Sequence, residues 1–341
     1  MRFAIGYQLA DDGDESTVDL VRDYRRHVAE VYFPWVDLPS GRAALATRRG
    51  QTDWTAQARL ECDLRALREL GTELDLLFNA NCYGAWGVSV RLENQVGSLL
   101  AHLEDAVGGV QTVTTTSPAV AHAVKRHFPK VRTRASVNMR LGEVQALEQV
   151  ADLFDDYCVR REHNRDLEHL RRLKTWADAN GKRLCLLANS GCLYACSFQT
   201  FHDNLVAHDA EVDEVERMEG FEPFACRRAC QQRERWPALL QATWVRPEDL
   251  RHYDGLFDTV KLATRMHQHP RLVLDAYVRR SHRGNLLDLL EPGLGPFLAP
   301  GILDNTRFPD DWFRKTSTCG RHCENCEYCA QVLSHVLAHA D

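Results

Sequence analysis

The residues best suited to chemistry in this chain are thiols, set in two groups of four. The first group is a pair of Cys-x3-Cys motifs, Cys192/Cys196 and Cys226/Cys230, in a stretch that opens with Asn189-Ser-Gly. The second is Cys319, Cys323, Cys326 and Cys329, four cysteines within eleven residues. Thiolates in fours are the usual donors to a zinc ion or an iron–sulfur cluster. Each Cys-x3-Cys pair puts both sulfurs on one side of a helical turn, so two facing pairs make a tetrathiolate site. The 29 residues between the first two pairs suit either metal. Zinc favours Cys-x2-4-Cys pairs, and a cubane accepts ligands from separated turns. The plain alternative is inert cysteines buried in a core. His202 and His208 lie between the pairs, as ligands, proton shuttles or hydrogen-bonded neighbours of the thiols.

On a continuous helix the second group would form a stripe about 15 Å long, too extended for one metal. Binding a single site therefore requires Thr318–Cys326 to be looped. Its Cys-x2-Cys-x2-Cys core resembles the compact ferredoxin run, with the fourth ligand placed ahead of the triplet and no trailing proline. A second iron–sulfur cluster is the first expectation here and zinc the second. Cys319–Cys326 also has the spacing used by radical S-adenosylmethionine enzymes. A fourth cysteine would fill the iron those enzymes leave open, so it is not read as that motif.

Polar residues gather at the ends of expected strands: Asn79, Asn81, Asn138, Arg140, Arg160, Arg161, Glu162, Lys261 and Arg265. Arg161 and Arg265 are candidate anion binders, since a guanidinium grips a carboxylate or phosphate with two parallel bonds. The competing reading for each is an ordinary surface ion pair. Asn79 and His202 are the further candidates for contact with substrate. Tyr32–Trp35 reads as barrel packing, with a stacking platform for an aromatic substrate as the sharper alternative. There is no Gly-x-Ser-x-Gly, His-Glu-x-x-His or Walker motif, and no nucleophile–base pair stands out.

What must position these groups is an alternation of short β-rich runs and longer helical patterns, the mark of parallel βα units. Expected strands are Phe3–Leu9, Glu30–Trp35, Leu74–Asn79, Val110–Thr116, Val131–Asn138, Tyr157–Arg161, Leu184–Asn189 and Thr259–Arg265. Helices are expected over Thr17–Val28, Trp54–Leu70, Leu92–Ala106, from Ser117-Pro118 onward, and over Gly142–Phe154, Arg165–Ala179 and Pro270–Arg279. A loop is expected over Asp37–Gly50 and an extended piece at Thr243–Arg246. Eight strands predict an α/β fold, a (β/α)8 TIM-type barrel with a cysteine-rich insertion after strand 7 and a cysteine-rich C-terminal appendage. No Gly-x-Gly-x-x-Gly follows any strand to favour a doubly wound sheet. The division expected is a barrel over 1–285 with a cluster-binding insertion at 189–242, then an appendage over 286–341. Barrel geometry puts the loop after strand 7 on the face where such folds do their chemistry.

At 341 residues, 44% apolar and 26% charged, the chain can bury a full core and has the composition of a globular protein. The apolar N-terminal run is too short for a signal peptide and soon meets Asp11, Asp12, Asp14 and Glu15. A cytoplasmic protein without membrane spans is the expectation, and there cysteines serve as ligands or reactive thiols more than as disulfides. A net charge of −6 and a pI near 6.2 argue against a broad nucleic-acid surface, though not against a local basic patch.

The ordered strands, with Asn189-Ser-Gly-Cys192 and Val260-Lys261-Leu-Ala-Thr-Arg265-x-His-x-His-Pro270, resemble the collagenase-like peptidase family U-32 over residues 1–280. The similarity is greatest to its iron–sulfur members, which support oxygen-independent ubiquinone hydroxylation. The resemblance implies a barrel holding a [4Fe-4S] cluster on Cys192, Cys196, Cys226 and Cys230. Some members hydroxylate RNA or ubiquinone precursors with prephenate as oxygen donor. The family spaces its cysteines unevenly where this chain has two tight pairs, and the C-terminal cysteines lie outside the matched part. The function expected is therefore an iron–sulfur hydroxylase or related redox enzyme on a small aromatic or anionic substrate, a carboxylate such as prephenate among them. The alternatives are a non-catalytic iron–sulfur subunit that docks a redox or barrel partner, and a peptidase-like hydrolase with structural zinc.

Overall fold

The computed structural model describes residues 1–339 apart from Asp12, Asp37, Pro39 and 41–51. The loop expected over Asp37–Gly50 therefore lies outside the described residues, Leu38 and Ser40 excepted. Eight parallel strands close into a barrel in sequence order: β1 (Arg2–Gly6), β2 (Val28–Pro34), β3 (Glu73–Phe78), β4 (Thr112–Thr115), β5 (Arg132–Ala135), β6 (Asp156–Cys158), β7 (Arg183–Leu187) and β8 (Thr259–Lys261). Closure is made by β1 against β8, with Phe3 opposite Val260 and Ala4 opposite Lys261. The (β/α)8 architecture expected from the alternating pattern is the one present.

Six helices cover the first six strand connections: α1 (Thr17–Asp23), α2 (Trp54–Glu69), α3 (Val90–Val107), α4 (Pro118–His127), α5 (Val144–Glu148) and α6 (Leu167–Ala179). Their starts are written locally. Ser16, Asp53, Ser89, Ser117 and Asp166 each accept a hydrogen bond from a backbone N–H in the first turn, satisfying donors that the helix itself cannot. α3 ends where Gly108 takes φ 76°, a left-handed cap that suits glycine. On its inner face Leu92, Val96, Leu99, Leu100, Leu103 and Val107 are buried, each stabilising the packing by about 1.5–3 kcal/mol.

Two helices are shorter than the periodicity predicts. α1 stops at Asp23 because the chain turns through Tyr24–His27 to bring Val28 opposite Phe3. The pattern over Gly142–Phe154 yields only Val144–Glu148 followed by turns. The extended piece at Thr243–Arg246 joins no strand, although the Val245 N–H donates to Ala188 O at 2.8 Å.

After β7 come α7 (Gln199–Ala207), α8 (Asp209–Val212), α9 (Ala225–Cys230) and α10 (Pro237–Gln241), and α11 (Pro270–Arg279) follows β8. The C-terminal stretch adds β9 (Gly301–Leu303), α12 (Trp312–Ser317), α13 (Tyr328–Val336) and β10 (Leu337–His339), with β10 antiparallel to β9. Its Leu303, Trp312, Phe313 and Val336 join the same apolar cluster as the barrel helices. Inside the barrel the apolar content is small: Ala4, Tyr32 and Leu77 form a cluster of their own. Among the described residues no helix is long and apolar enough to cross a membrane.

Candidate active site at the barrel mouth

A charged layer fills the barrel where branched aliphatics usually pack. Glu30 on β2, Asp75 on β3, Arg134 on β5 and Asp156 on β6 are all buried. Arg134 is the hub: it pairs with both oxygens of Glu30, with Asp75 at 3.1 Å and with Asp156 at 3.3 Å. Burial alone would neutralise Glu30, but the Arg134 charge outweighs it and holds the carboxyl below its usual range. Asp75 goes the other way, pushed up to about 6 by burial, with neighbouring Glu30 adding to the rise. Arg134 is shared among three carboxylates; Asp156 has Arg183 at 2.8 Å as well, whereas Asp75 keeps a single guanidinium contact at 3.1 Å.

Above this layer a cavity of about 100 Å³ opens at the carboxyl ends of the strands. Tyr32, Asn79, Asn138, Cys158, Arg161, Lys261, Arg265 and Glu291 are among its walls. Three of those are cations and one is an acid, so the cavity favours a negative guest. The Lys261 ammonium sits 3.8 Å from the Tyr32 ring centroid, and its charge is held against burial by Asp75. Arg265 donates to Ser40 Oγ at 2.6 Å. Arg161 donates to Asn138 Oδ1 at 2.8 Å and to Cys192 Sγ at 3.0 Å, which ties the cavity wall to the first thiol set. On the floor, Cys158 and Cys185 face each other across β6 and β7. A hydrogen bond from Cys185 lowers the Cys158 thiol, helped by Lys261 and Arg134.

The Asn-Ser-Gly turn launches the first cysteine loop. The Asn189 amide donates to Ala263 O (3.0 Å) and Leu289 O (2.9 Å) and accepts from Ala263 N–H (2.6 Å), lacing the end of β7 to the end of β8. A Cβ on Gly191 would lie 2.4 Å from Pro292 O, so only glycine fits there. Cys192 and Cys196 follow, while Cys226 and Cys230 share a face of α9. Burial pushes the Cys196 and Cys226 thiols up, and the charge of Cys192 acts on both. Cys230 is pushed up to about 12 by burial and by Cys226. His202 packs edge-on against Phe224, beside the second pair.

The second set is looped as a single site requires, with turns over 318–322 and a 3-10 turn at Cys323–Asn325 before α13 begins. Cys329 is pushed up to about 11 by burial, with Cys323, Cys319 and Cys326 all adding to the rise. Behind these thiols lies Arg165, fully buried, its guanidinium 4.9 Å from the Trp244 ring and 5.4 Å from Trp312. It donates to Leu240 O at 3.0 Å and to Ala242 O. Nε and Nη1 have no hydrogen-bond partner, and the charges of Cys319 and Cys329 act on the same group. Buried unmatched donors beside four thiols suit an anionic metal–thiolate centre. The loops that carry the two sets touch: Arg321, between Cys319 and Cys323, lies 4.6 Å from the ring of Tyr194, between Cys192 and Cys196.

Among the described residues no three cysteine sulfurs lie within 4.8 Å of one another, and the group that does so is Glu143, His163 and His169. Both ring nitrogens of His169 are occupied, by Gly142 O and by Arg172. That cluster is a hydrogen-bonded brace at the foot of the loop after β5.

No protein-family model matches the chain. Among curated proteins, the uncharacterized protease MJ1657 of Methanocaldococcus jannaschii is 22% identical over 271 residues, covering 77% of this chain and 76% of its own length. The solved structure of the U32 peptidase Mk0906 superposes with a TM-score of 0.53 at 15% identity, covering 76% of this chain and 92% of that one. The chain shares the barrel fold of that U32 peptidase.

Within this barrel, Asn79, Arg161 and Arg265 share the cavity, and Cys192 adjoins it through Arg161. His202 is not among the cavity walls. Lys261, named from the sequence only as a polar strand end, proves to stand at the centre of the electrostatics. The charged layer was missed, although its signal is simple: a buried charge on each of β2, β3, β5 and β6, namely Glu30, Asp75, Arg134 and Asp156.

Proposed function

We propose that this barrel is an iron–sulfur redox enzyme acting on a small carboxylate, an oxygen-independent hydroxylation or a related reaction. Cys192, Cys196, Cys226 and Cys230 would hold a [4Fe-4S] cluster. Cys319, Cys323, Cys326 and Cys329 would hold a second cluster or a zinc ion. When bound, such clusters supply one-electron transfer. The observation that carries the reading is that the loops bearing the two thiol sets meet, at Arg321 and Tyr194, and that Arg161 links Cys192 of the first set to a cationic cavity.

The chain's own residues supply binding and exclusion of water. Arg161, Lys261 and Arg265 converge on the cavity, and a carboxylate placed among them exchanges water for charge-assisted bonds. At about 100 Å³ the space takes a carboxylate and a short stem, since whole-ligand clefts run to roughly 300–1,000 Å³. A prephenate-sized molecule would leave its ring toward the mouth, where Tyr32 and Met266 offer apolar surface. A docking role for a partner protein is favoured by a separate observation: Phe201, Val215, Met218 and Phe221 of the insertion are exposed.

Anaerobic purification followed by iron, acid-labile sulfide and zinc analysis, with a visible spectrum, tests the metal. Two four-iron centres give about eight irons per chain and a brown protein. A colourless protein with stoichiometric zinc and no iron would remove the redox reading. Calorimetric titration with prephenate tests the cavity, with binding expected for the native chain and lost in Arg161→Ala.

A further inference from the structure

Two cysteines that belong to neither quartet sit beneath the cavity. Cys158 closes β6 and Cys185 lies in the middle of β7, and the register of these parallel strands sets the two side by side. Register partners point to the same side of a sheet, and neighbouring strands run about 4.8 Å apart. That spacing falls inside the roughly 4.4–6.8 Å between Cα atoms that a disulfide spans. Both residues are buried, and both are free thiols. They are not equivalent, because Cys158 is among the cavity walls and Cys185 is not. A thiol that meets an incoming molecule is thus backed by a second with no face on the cavity.

We propose that Cys158 and Cys185 form a dithiol–disulfide couple that reduces small hydroperoxides at the cavity floor, with Cys158 attacking and Cys185 resolving. Size sets the substrate class. Cys158 is reached through a space of about 100 Å³, enough for a peroxide hardly larger than water, whereas clefts for whole ligands run to roughly 300–1,000 Å³. Lys261 lines the same space, so a cation and its protons stand with the thiol, and the Ser136 hydroxyl adds a hydrogen-bonding group for the peroxide. The electrostatics agree with this division of roles. Pairing with Cys185 holds the Cys158 thiol below its ordinary value, with Lys261 and Arg134 adding to the effect, while the same pairing and burial push Cys185 well up. The thiol on the cavity is therefore the one that ionises first, and the thiolate is the nucleophile.

In the reaction the Cys158 thiolate attacks the terminal peroxide oxygen. An S–O bond forms, the O–O bond breaks, and the departing alkoxide or hydroxide takes a proton from the Lys261 ammonium. The Cys185 sulfur then attacks the Cys158 sulfenic acid: an S–S bond forms, the S–O bond breaks, and hydroxide leaves as water with the Cys185 proton. The sum is two thiols plus hydroperoxide to a disulfide, an alcohol (or water) and water, with sulfur oxidised and peroxide oxygen reduced. Two equivalents of a slim alkyl thiol reverse the bridge by exchange and leave as their own disulfide, and the Cys158 proton returns to Lys261. Neither quartet supplies a ligand or an electron, so the couple does not rest on the iron–sulfur reading.

The test uses the full chain, purified anaerobically with whatever metal it carries, and hydrogen peroxide at one equivalent per chain. After acid quenching and alkylation with N-ethylmaleimide, a non-reducing peptide map should show Cys158 joined to Cys185, formed at least ~10-fold faster than the exposed Cys62 is oxidised. Cumene hydroperoxide, too bulky for the space, should form the bridge at least ~10-fold more slowly than hydrogen peroxide. Cys185→Ser should halt the reaction at a Cys158 sulfenic acid, trapped by dimedone as the chain is unfolded, and Cys158→Ser should leave Cys185 a free thiol. 2-Mercaptoethanol should return both thiols and sustain repeated consumption of peroxide. Should Cys185→Ser fail to fold, Cys158→Ser and the native peptide map still decide, each checked for metal content and melting temperature. A native chain in which Cys158 and Cys185 stay free while Cys62 is oxidised overturns the proposal. So does a bridge from either to a quartet cysteine, equal rates with the two peroxides, or oxidation of Cys185 in the Cys158→Ser chain.

Discussion

The two cysteine quartets are each backed by a buried arginine, and both arginines come from the short segment after β6. Arg161 serves the first quartet and Arg165, four residues on, the second. They do different work. Arg161 gives one N–H bond to a cysteine sulfur and another to Asn138, and it forms part of the cavity wall. Arg165 bonds backbone carbonyls and lies between two tryptophans, and it is not part of the cavity wall. The first quartet is wired to the face where a ligand enters. The second is set into aromatic packing, with the Arg165 guanidinium between the Trp244 and Trp312 rings. One loop therefore places a contact group and a supporting group a helical turn apart, and residue type alone does not tell them apart.

The largest effect expected from breaking this symmetry is on metal content. Cys226→Ser/Cys230→Ser should empty the first site and leave the second, and Cys326→Ser/Cys329→Ser should do the reverse. Metal analysis of the two variants should give complementary losses; loss of all metal from either would show that the sites do not load independently. Next in size is stability. Arg165→Leu strands Leu240 O and Ala242 O without their donor and removes the charge between the rings, a cost of about 2–4 kcal/mol. Urea unfolding should show that fall, with Arg165→Lys intermediate because a point charge cannot reproduce the guanidinium fork. An unchanged midpoint would mean that the arginine is held there by the thiols alone.

Much of this was legible in the sequence for a plain reason. Parallel βα units repeat one period after another, and each strand and most helix starts carry local signals such as Ser117-Pro118. The two quartets stand out in the sequence because their cysteine spacing is local. What escaped reading depends on contacts across the barrel. Arg165 reads as the first residue of a helix, yet Asp166 caps that helix and the arginine side chain is swallowed by Trp244 and Trp312 from far along the chain. Arg134 falls within the expected strand Val131–Asn138, and its burial makes sense only with Glu30, Asp75 and Asp156 around it. The charged barrel layer could have been anticipated by asking which partner each charge inside a strand would need.

A smaller effect sharpens what Arg161 does. Arg161→Ala should leave the fold intact but weaken metal retention at the first quartet by roughly 10–100-fold, the usual consequence of losing a hydrogen bond to a ligand. Competition with a chelator would measure it, and equal retention by native and variant chains would make Arg161 a substrate group only.

The smallest expected effect concerns the surroundings of Arg165. Asp249 is buried, and burial, with Glu248 adding to it, pushes its carboxyl from 3.8 up to about 6 despite the pull of Arg246 and Arg165. A carboxyl whose pKa is higher in the folded than in the unfolded chain binds more protons when folded. Its charged form therefore costs stability above about pH 6, and the cost disappears as pH falls from about 6 to below about 4. Asp249→Asn removes the charge at every pH, so it should stabilise the chain at pH 8 by about 1–2 kcal/mol, once the lost attraction to the two arginines is counted. The gain should shrink to nothing near pH 4. If urea unfolding instead shows Asp249→Asn destabilising at pH 8, the carboxylate is needed there as a counter-charge for Arg165, and the second quartet is held by an ion pair rather than by a lone cation.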